Sequence, residues 1–180
     1  LLKYYQEELI SNFQGTIIDI ETIGEFNNRF DNSRRYRNII PVIFGCINRE
    51  GMKIICAENK SSIKLEKQEV RRLLPDLEKP FYAFNSIFEK GVLFYFLETP
   101  IEFRELNKER YENKEEAVRL LGISQYNDPF NGNGKLCMDA WLRGDFKRAI
   151  AHNRACLLKE RDILLKRGFR EPDELELRRE

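Results

Sequence analysis

The alternation of apolar and polar positions divides the chain into short elements. Thr16-Ile17-Ile18-Asp19-Ile20-Glu21 is an isoleucine-rich run bounded by Gly15 and Gly24, the pattern of a strand buried on both faces. Ile39 to Ile47 and Met52 to Ala57 are two β-rich runs separated by Asn48-Arg49-Glu50-Gly51, which predicts a hairpin. Leu65 to Leu77 has helical spacing at Val70, Leu73, Leu74 and Leu77, and Pro80 stops it. Phe81 to Phe84 then reads as a strand, Ser86 to Leu97 as a helix and Ile101 to Leu106 as a strand. Lys114 to Leu121 is a short helix closed by Gly122, and Lys135 to Leu142 is a second, broken at Gly144. A long helix, Phe146 to Arg167, starts at or next to Asp145. Before the first strand, residues 1–14 read as an amphipathic lead-in helix. Phe26 to Arg37 and Asn127 to Gly134 read as loops, and the charged tail 169–180 is expected to fray.

Three strands before the first helix, then alternation, predict an α/β fold with a mixed sheet flanked by helices. The pattern is compatible with a ribonuclease H-like fold but does not select it. The length, 180 residues, suits one domain, 1–180. Apolar residues make up 42%, enough for a packed core. Charged residues reach 34%, but 31 Lys and Arg nearly cancel 30 Asp and Glu. That balance excludes coating of nucleic acid by bulk charge and leaves room for a local basic groove. Cys46, Cys56, Cys137 and Cys156 follow no CxxC spacing, and a hairpin leaves Cys46 facing Cys56 as one option. Leu1 to Ser11 is too charged for a secretory leader, and Val92 to Leu97 is too short to span a bilayer. The expectation is a soluble, cytoplasmic protein with free thiols and no membrane partner.

Asp19 and Glu21 stand two apart on a strand, so both carboxylates point the same way. Two acids on one face of an apolar strand pay desolvation and repel each other, and a divalent metal relieves both. Hard oxygen ligands suit Mg2+ or Mn2+, and such ions hydrolyse phosphodiesters. An Asp-x-Glu strand end emerging into solvent is the plainer alternative, and the flanking isoleucines count against it. Arg34, Arg35 and Arg37 with Tyr36 can grip a phosphate backbone and stack a base, although a solvated loop explains them more simply. Asn131-Gly132-Asn133-Gly134 is a turn, with no Lys-Ser/Thr to make it a phosphate loop.

Thr16 to Thr22 resembles the first motif of the DEDD family of 3′–5′ exonucleases, in which both acids bind metal. The second motif of that family is Asn-x-x-Phe-Asp, and Asn85-Ser86-Ile87-Phe88-Glu89 is similar to it, with Glu89 in place of Asp. The third is Tyr-x-x-x-Asp or His-x-x-x-x-Asp on a late helix. Its nearest counterpart is His152-Asn153-Arg154-Ala155-Cys156, with Cys156 in the Asp place. The approach Trp141-Leu142-Arg143-Gly144-Asp145 is also similar to members related to the exonuclease domain of family B DNA polymerases. The resemblance implies a ribonuclease H-like fold, Mg2+ or Mn2+ on Asp19, Glu21 and Glu89, and His152 orienting water or acting as base. It also implies single-stranded DNA, or RNA, contacted by Asn85 and Phe88 of the second motif, to which the loop residues Arg35 and Tyr36 are added on their own chemistry.

Beside the resemblance, Asn85 has an equally good reading as a helix cap, and Glu89 as a solvated helix acid. A protonated thiol is a poor Mg2+ ligand, and Cys156 lies on the apolar stripe of the late helix, so it reads as a small core residue. Glu160, one turn further along that face, is a better replacement acid than Asp162, which points elsewhere. Three readings therefore stand: a metal-dependent 3′–5′ exonuclease; a degenerate ribonuclease H-like domain that binds nucleic acid or a protein; and a non-nuclease α/β domain with an accidental Asp-x-Glu, which needs three motif positions to align by chance.

Overall fold

The computed structural model describes residues 1–180. Six strands form one mixed sheet: β1 (Leu2–Glu7), β2 (Thr16–Gly24), β3 (Ile39–Asn48), β4 (Gly51–Ala57), β5 (Phe81–Ala83) and β6 (Phe103–Glu105), in the order β1-β4-β3-β2-β5-β6. β1 to β4 pair antiparallel with their neighbours, whereas β2, β5 and β6 run parallel. Five α-helices flank the sheet: α1 (Ile63–Leu73), α2 (Ile87–Leu97), α3 (Lys114–Leu120), α4 (Gly134–Leu142) and α5 (Phe146–Arg167). This is the mixed sheet between helices that the residue pattern predicts.

The alternation of β2 divides the core in two. Ile18 and Ile20 join a cluster with Val70 of α1 and Val92, Leu93 and Leu97 of α2. Ile17 and Ile23 join the opposite cluster with Ala140 and Trp141 of α4 and Leu157 of α5. Asp19 and Glu21 occupy the two positions between Ile17 and Ile23, so they lie beneath α5. At the helix ends the sequence signals act as expected. The Asp145 side chain accepts from Arg148 N to start α5. Gly122, at φ 66°, ends α3 with its N–H on Arg119 O while Ile123 N–H reaches Val118 O.

Three expectations are corrected. Residues 1–14 hold no helix: Leu2–Glu7 is an edge strand in register with β4, from Leu2 opposite Ala57 to Glu7 opposite Met52. Tyr4 and Tyr5 favour extended backbone, and without β1 the edge of β4 would be left unpaired. Cys46 and Cys56 do not face each other. Cys46 stands opposite Lys53 and Cys56 opposite Ile43, and all four thiols are free and buried. The tail, expected to fray, lies against the fold: Arg170 pairs with Glu105, Leu175 packs on the α2-side cluster, and Ser33 N–H donates to Glu176 O. No helix is long and apolar enough to cross a membrane.

A candidate acidic cleft on the central strand

Asp19 and Glu21 are 6% and 9% exposed, on one face of β2. Asn153 of α5 reaches both: its Nδ2 donates to Asp19 Oδ2 at 2.9 Å and Glu21 Oε1 at 3.3 Å. The approach depends on Gly45, which stands opposite Asp19 on β3. A Cβ there would lie 2.0 Å from Asn153 Oδ1 and 2.8 Å from Leu157. Burial first, with the Asp19 charge adding to it and the His152 charge opposing, pushes the Glu21 carboxyl up to about 7.

Two further acids enter the same cluster. Glu89 of α2 is buried, and its Oε2 has no hydrogen-bond partner. Burial, followed by the charges of Asp19 and Glu160, holds its pKa well above the usual carboxylate range. Glu160 of α5 is wholly buried and accepts from Phe84 N at 2.9 Å, while burial also raises its pKa well above normal. Asp162 lies elsewhere, bonded to Tyr126 and Arg161. Lys114, the first residue of α3, brings its Nζ to 3.4 Å from Asp19 Oδ1 and 3.2 Å from Glu160 Oε2. Burial pulls that ammonium down, but the charges of Asp19, Cys156, Glu160 and Glu89 hold it well above its ordinary value.

His152 lines the other side of the cleft. Its Nδ1 is 2.8 Å from Asp128 Oδ1, and its Nε2 is 3.7 Å from Glu21 Oε1 and 3.6 Å from Cys156 Sγ. Asp128 is itself fixed by Lys159 Nζ at 2.9 Å, Phe130 N at 3.0 Å and Gly132 N at 2.8 Å. Burial disfavours the imidazolium, but the Glu21 charge and the Asp128 bond push His152 up to about 11. It therefore carries its proton at neutral pH, which fits a donor better than the base that the motif suggests. Burial raises the Cys156 thiol to about 11. Cys156 is buried, as a core residue would be, yet it also borders the cleft.

Asp19, Glu21, Asn85, Phe88, Glu89 and His152 all line one cleft of about 520 Å³. Asn85 does not cap α2 with its side chain. It sits at φ 56°, donates to Glu112 O and accepts from Asn107 Nδ2. The start of α2 is held instead by the buried Glu105 carboxylate, which accepts from the N–H groups of Asn85 and Ser86. Tyr36 is placed differently from the sequence expectation. Its buried ring abuts Gly91 and Phe88, so it fastens α2 and offers no face to a base. Phe26, 45% exposed and bordering the cleft, is the available aromatic, with the Arg35 guanidinium 5.0 Å from its ring centre.

Asp128, Asn153 and Lys114 were not singled out by motif. Asp128 lies in a stretch that reads as a turn, Asn153 on an apolar stripe, and Lys114 at an ordinary helix start. The chemistry open to the assembly is cation binding. It offers carboxylate oxygens from β2, α2 and α5, one of them without a partner, and it already draws an ammonium between two acids. A search of protein-family models, curated proteins and solved structures returns no match to this chain.

Proposed function

We propose that the chain is a ribonuclease H-like, metal-dependent 3′–5′ exonuclease acting on single-stranded nucleic acid, with DNA favoured and RNA the other candidate. The observation that carries this is the convergence of Asp19, Glu21 and Glu89 from β2 and α2 in one cleft, with Glu160 joining from α5. The sheet supports the fold assignment: a central strand flanked on one side by antiparallel strands and on the other by parallel ones.

The carboxylates bordering the cleft are of the chemical type that a hard divalent ion takes, although the group whose ligand atoms all lie within 4.8 Å of one another is Glu21, His152 and Cys156. The donors are carboxylate oxygens, and the orphaned Glu89 Oε2 is a costly buried group that a cation would satisfy. Asp19, Glu21 and Glu89 would hold Mg2+ or Mn2+, which supplies Lewis acidity towards the scissile phosphate and the attacking water. Water would add to phosphorus as the bond to the 3′ oxygen breaks; the proton lost by the water returns through solvent to the leaving oxygen, giving a 3′-hydroxyl on the shortened strand and a nucleoside 5′-monophosphate. His152, fixed by Asp128, faces Glu21 with its Nε2 3.7 Å from Oε1 and would orient the attacking water. Phe26 and Phe88 give the terminal base apolar faces at the cleft mouth.

One observation favours the degenerate alternative. Lys114 already lies between Asp19 and Glu160, as a built-in cation would in a cleft that takes no metal. The two readings separate on a 5′-labelled single-stranded oligonucleotide with Mn2+. The exonuclease gives a ladder shortening one nucleotide at a time from the 3′ end, and Asp19→Asn abolishes it. A preparation with no ladder that still binds the oligonucleotide supports the degenerate domain.

A further inference from the structure

The cleft has a second set of ligand atoms, chemically unlike the carboxylates around Lys114. Glu21 Oε1, His152 Nε2 and Cys156 Sγ belong to a group whose ligand atoms all lie within 4.8 Å of one another. Nε2 is 3.7 Å from Oε1, beyond hydrogen-bond length, and 3.6 Å from Sγ. The Nε2–Sγ spacing is that of two atoms bound to one centre, and Oε1 lies slightly further out. With metal–nitrogen and metal–oxygen bonds of about 2.0 Å and metal–sulfur of about 2.3 Å, tetrahedral geometry separates neighbouring ligand atoms by roughly 3.3–3.6 Å.

The surroundings are those of a metal-binding imidazole. Asp128 takes the Nδ1 side of His152 and is itself tied by Lys159, Phe130 and Gly132, so the ring is fixed with Nε2 towards Glu21 and Cys156. His152 and Cys156 are four residues apart on α5 and share a face. All three ligands border the open cleft, which leaves a fourth position for solvent or substrate. With the protons of His152 and Cys156 released to solvent on metal binding, one carboxylate, one imidazole and one thiolate form a borderline-soft set that suits Zn2+ and disfavours Mg2+.

We propose that Glu21, His152 and Cys156 form a Zn2+-class site with an open coordination position, beside the carboxylate position of Asp19 and Glu89 and sharing Glu21 with it. The site rests on reading the cleft as a metal centre, but not on nuclease chemistry. On this view Cys156 changes the metal specificity of the cleft where the resembling family carries an acid.

The test is a titration of the metal-free full-length protein with Co2+, a spectroscopic stand-in for Zn2+. A thiolate-to-cobalt charge-transfer band should grow to saturation at one equivalent, vanish on adding Zn2+ and survive excess Mg2+. Cys156→Ser should lose the band, whereas Glu21→Gln should keep the thiol but weaken Co2+ binding by at least ~10-fold. Absence of the band in the wild type, or an unchanged band in Cys156→Ser, would overturn the site. If Cys156→Ser fails to fold, unchanged Co2+ affinity in Glu21→Gln overturns it instead. Asp19→Asn lacks a hard-oxygen ligand but retains this set, so it should keep the band while losing phosphodiesterase activity. A band without any oligonucleotide cleavage by the wild type would leave the site standing and remove the exonuclease. Cleavage without a band would do the reverse.

Discussion

Lys114→Met tests how strongly the acids depend on a cation. The ammonium is 3.4 Å from Asp19 and 3.2 Å from Glu160, with side-chain exposures of 22%, 8% and 0% for the three residues. Methionine keeps the aliphatic stem and removes the charge. Breaking a fully buried pair costs about 3–5 kcal/mol and an exposed one about 0–1 kcal/mol. Lys114 is about one-fifth exposed, so an intermediate loss of about 2–3 kcal/mol follows at pH 8. In a domain of this length that lowers Tm by about 5–10 °C. At pH 5 the loss should shrink, because Glu160, with its raised pKa, protonates and no longer needs the ammonium. Mn2+ at about 100 times its Kd adds about 2.7 kcal/mol and should restore most of the loss. Thermal melts in chelator and in Mn2+, at both pH values, read all three effects. A Tm unchanged at pH 8, or a loss that neither acid nor Mn2+ recovers, would refute the claim that Lys114 substitutes for a metal.

Further outcomes follow from neighbouring contacts. Gly45→Ala should destabilise the fold by about 1–3 kcal/mol and weaken Mn2+ binding, since its Cβ would displace Asn153 from Asp19; melting and calorimetric titration check both. Glu66 is wholly buried on α1 with both carboxyl oxygens unpartnered, so Glu66→Leu should raise Tm at neutral pH. Glu21, Glu89 and Glu160 have folded pKa values above their unfolded ones, so their contribution is fully present below about pH 4.3. It is lost as pH rises, for Glu21 through about 7. Metal-free stability measured by denaturant titration should therefore fall between pH 5 and 8 by an amount on the order of kcal/mol, and Asp19→Asn should flatten that slope. Glu160→Gln should lower nuclease activity at least ~10-fold, while Asp162→Asn, on the Tyr126–Arg161 side of α5, should leave it unchanged.

The parts that were legible in the sequence are those where local pattern and tertiary role agree. The Thr16–Glu21 run is buried on both faces, so its isoleucines announce the central strand and its two acids stand out against them. α5 runs from an Asp cap to a charged end, and its stripe marks the sheet-facing side. The helix expected over residues 1–14 fails because Leu2–Glu7 is an edge strand, with Lys3, Tyr4 and Gln6 exposed, whose apolar residues also satisfy helical spacing. Only pairing with β4, about fifty residues away, decides between the two. Glu160 was reachable by helix geometry once Cys156 departed from the motif. Lys114, Asn153 and Asp128 were not legible. Lys114 and Asn153 meet Asp19 across separations of 95 and 134 residues, and Asp128 meets His152 across 24. No local spacing encodes those meetings. Tyr36 shows the opposite failure: an aromatic among arginines reads as a nucleic-acid contact, yet the missing side chain of Gly91 makes it a packing residue.

The most direct test of the acidic cleft as a metal centre is a crystal soaked in Mn2+ and measured for anomalous scattering. The account predicts a peak within bonding distance of Asp19, Glu21 and Glu89, with the Lys114 ammonium withdrawn from Asp19. No peak in the cleft, with Lys114 still bridging Asp19 and Glu160, would contradict it.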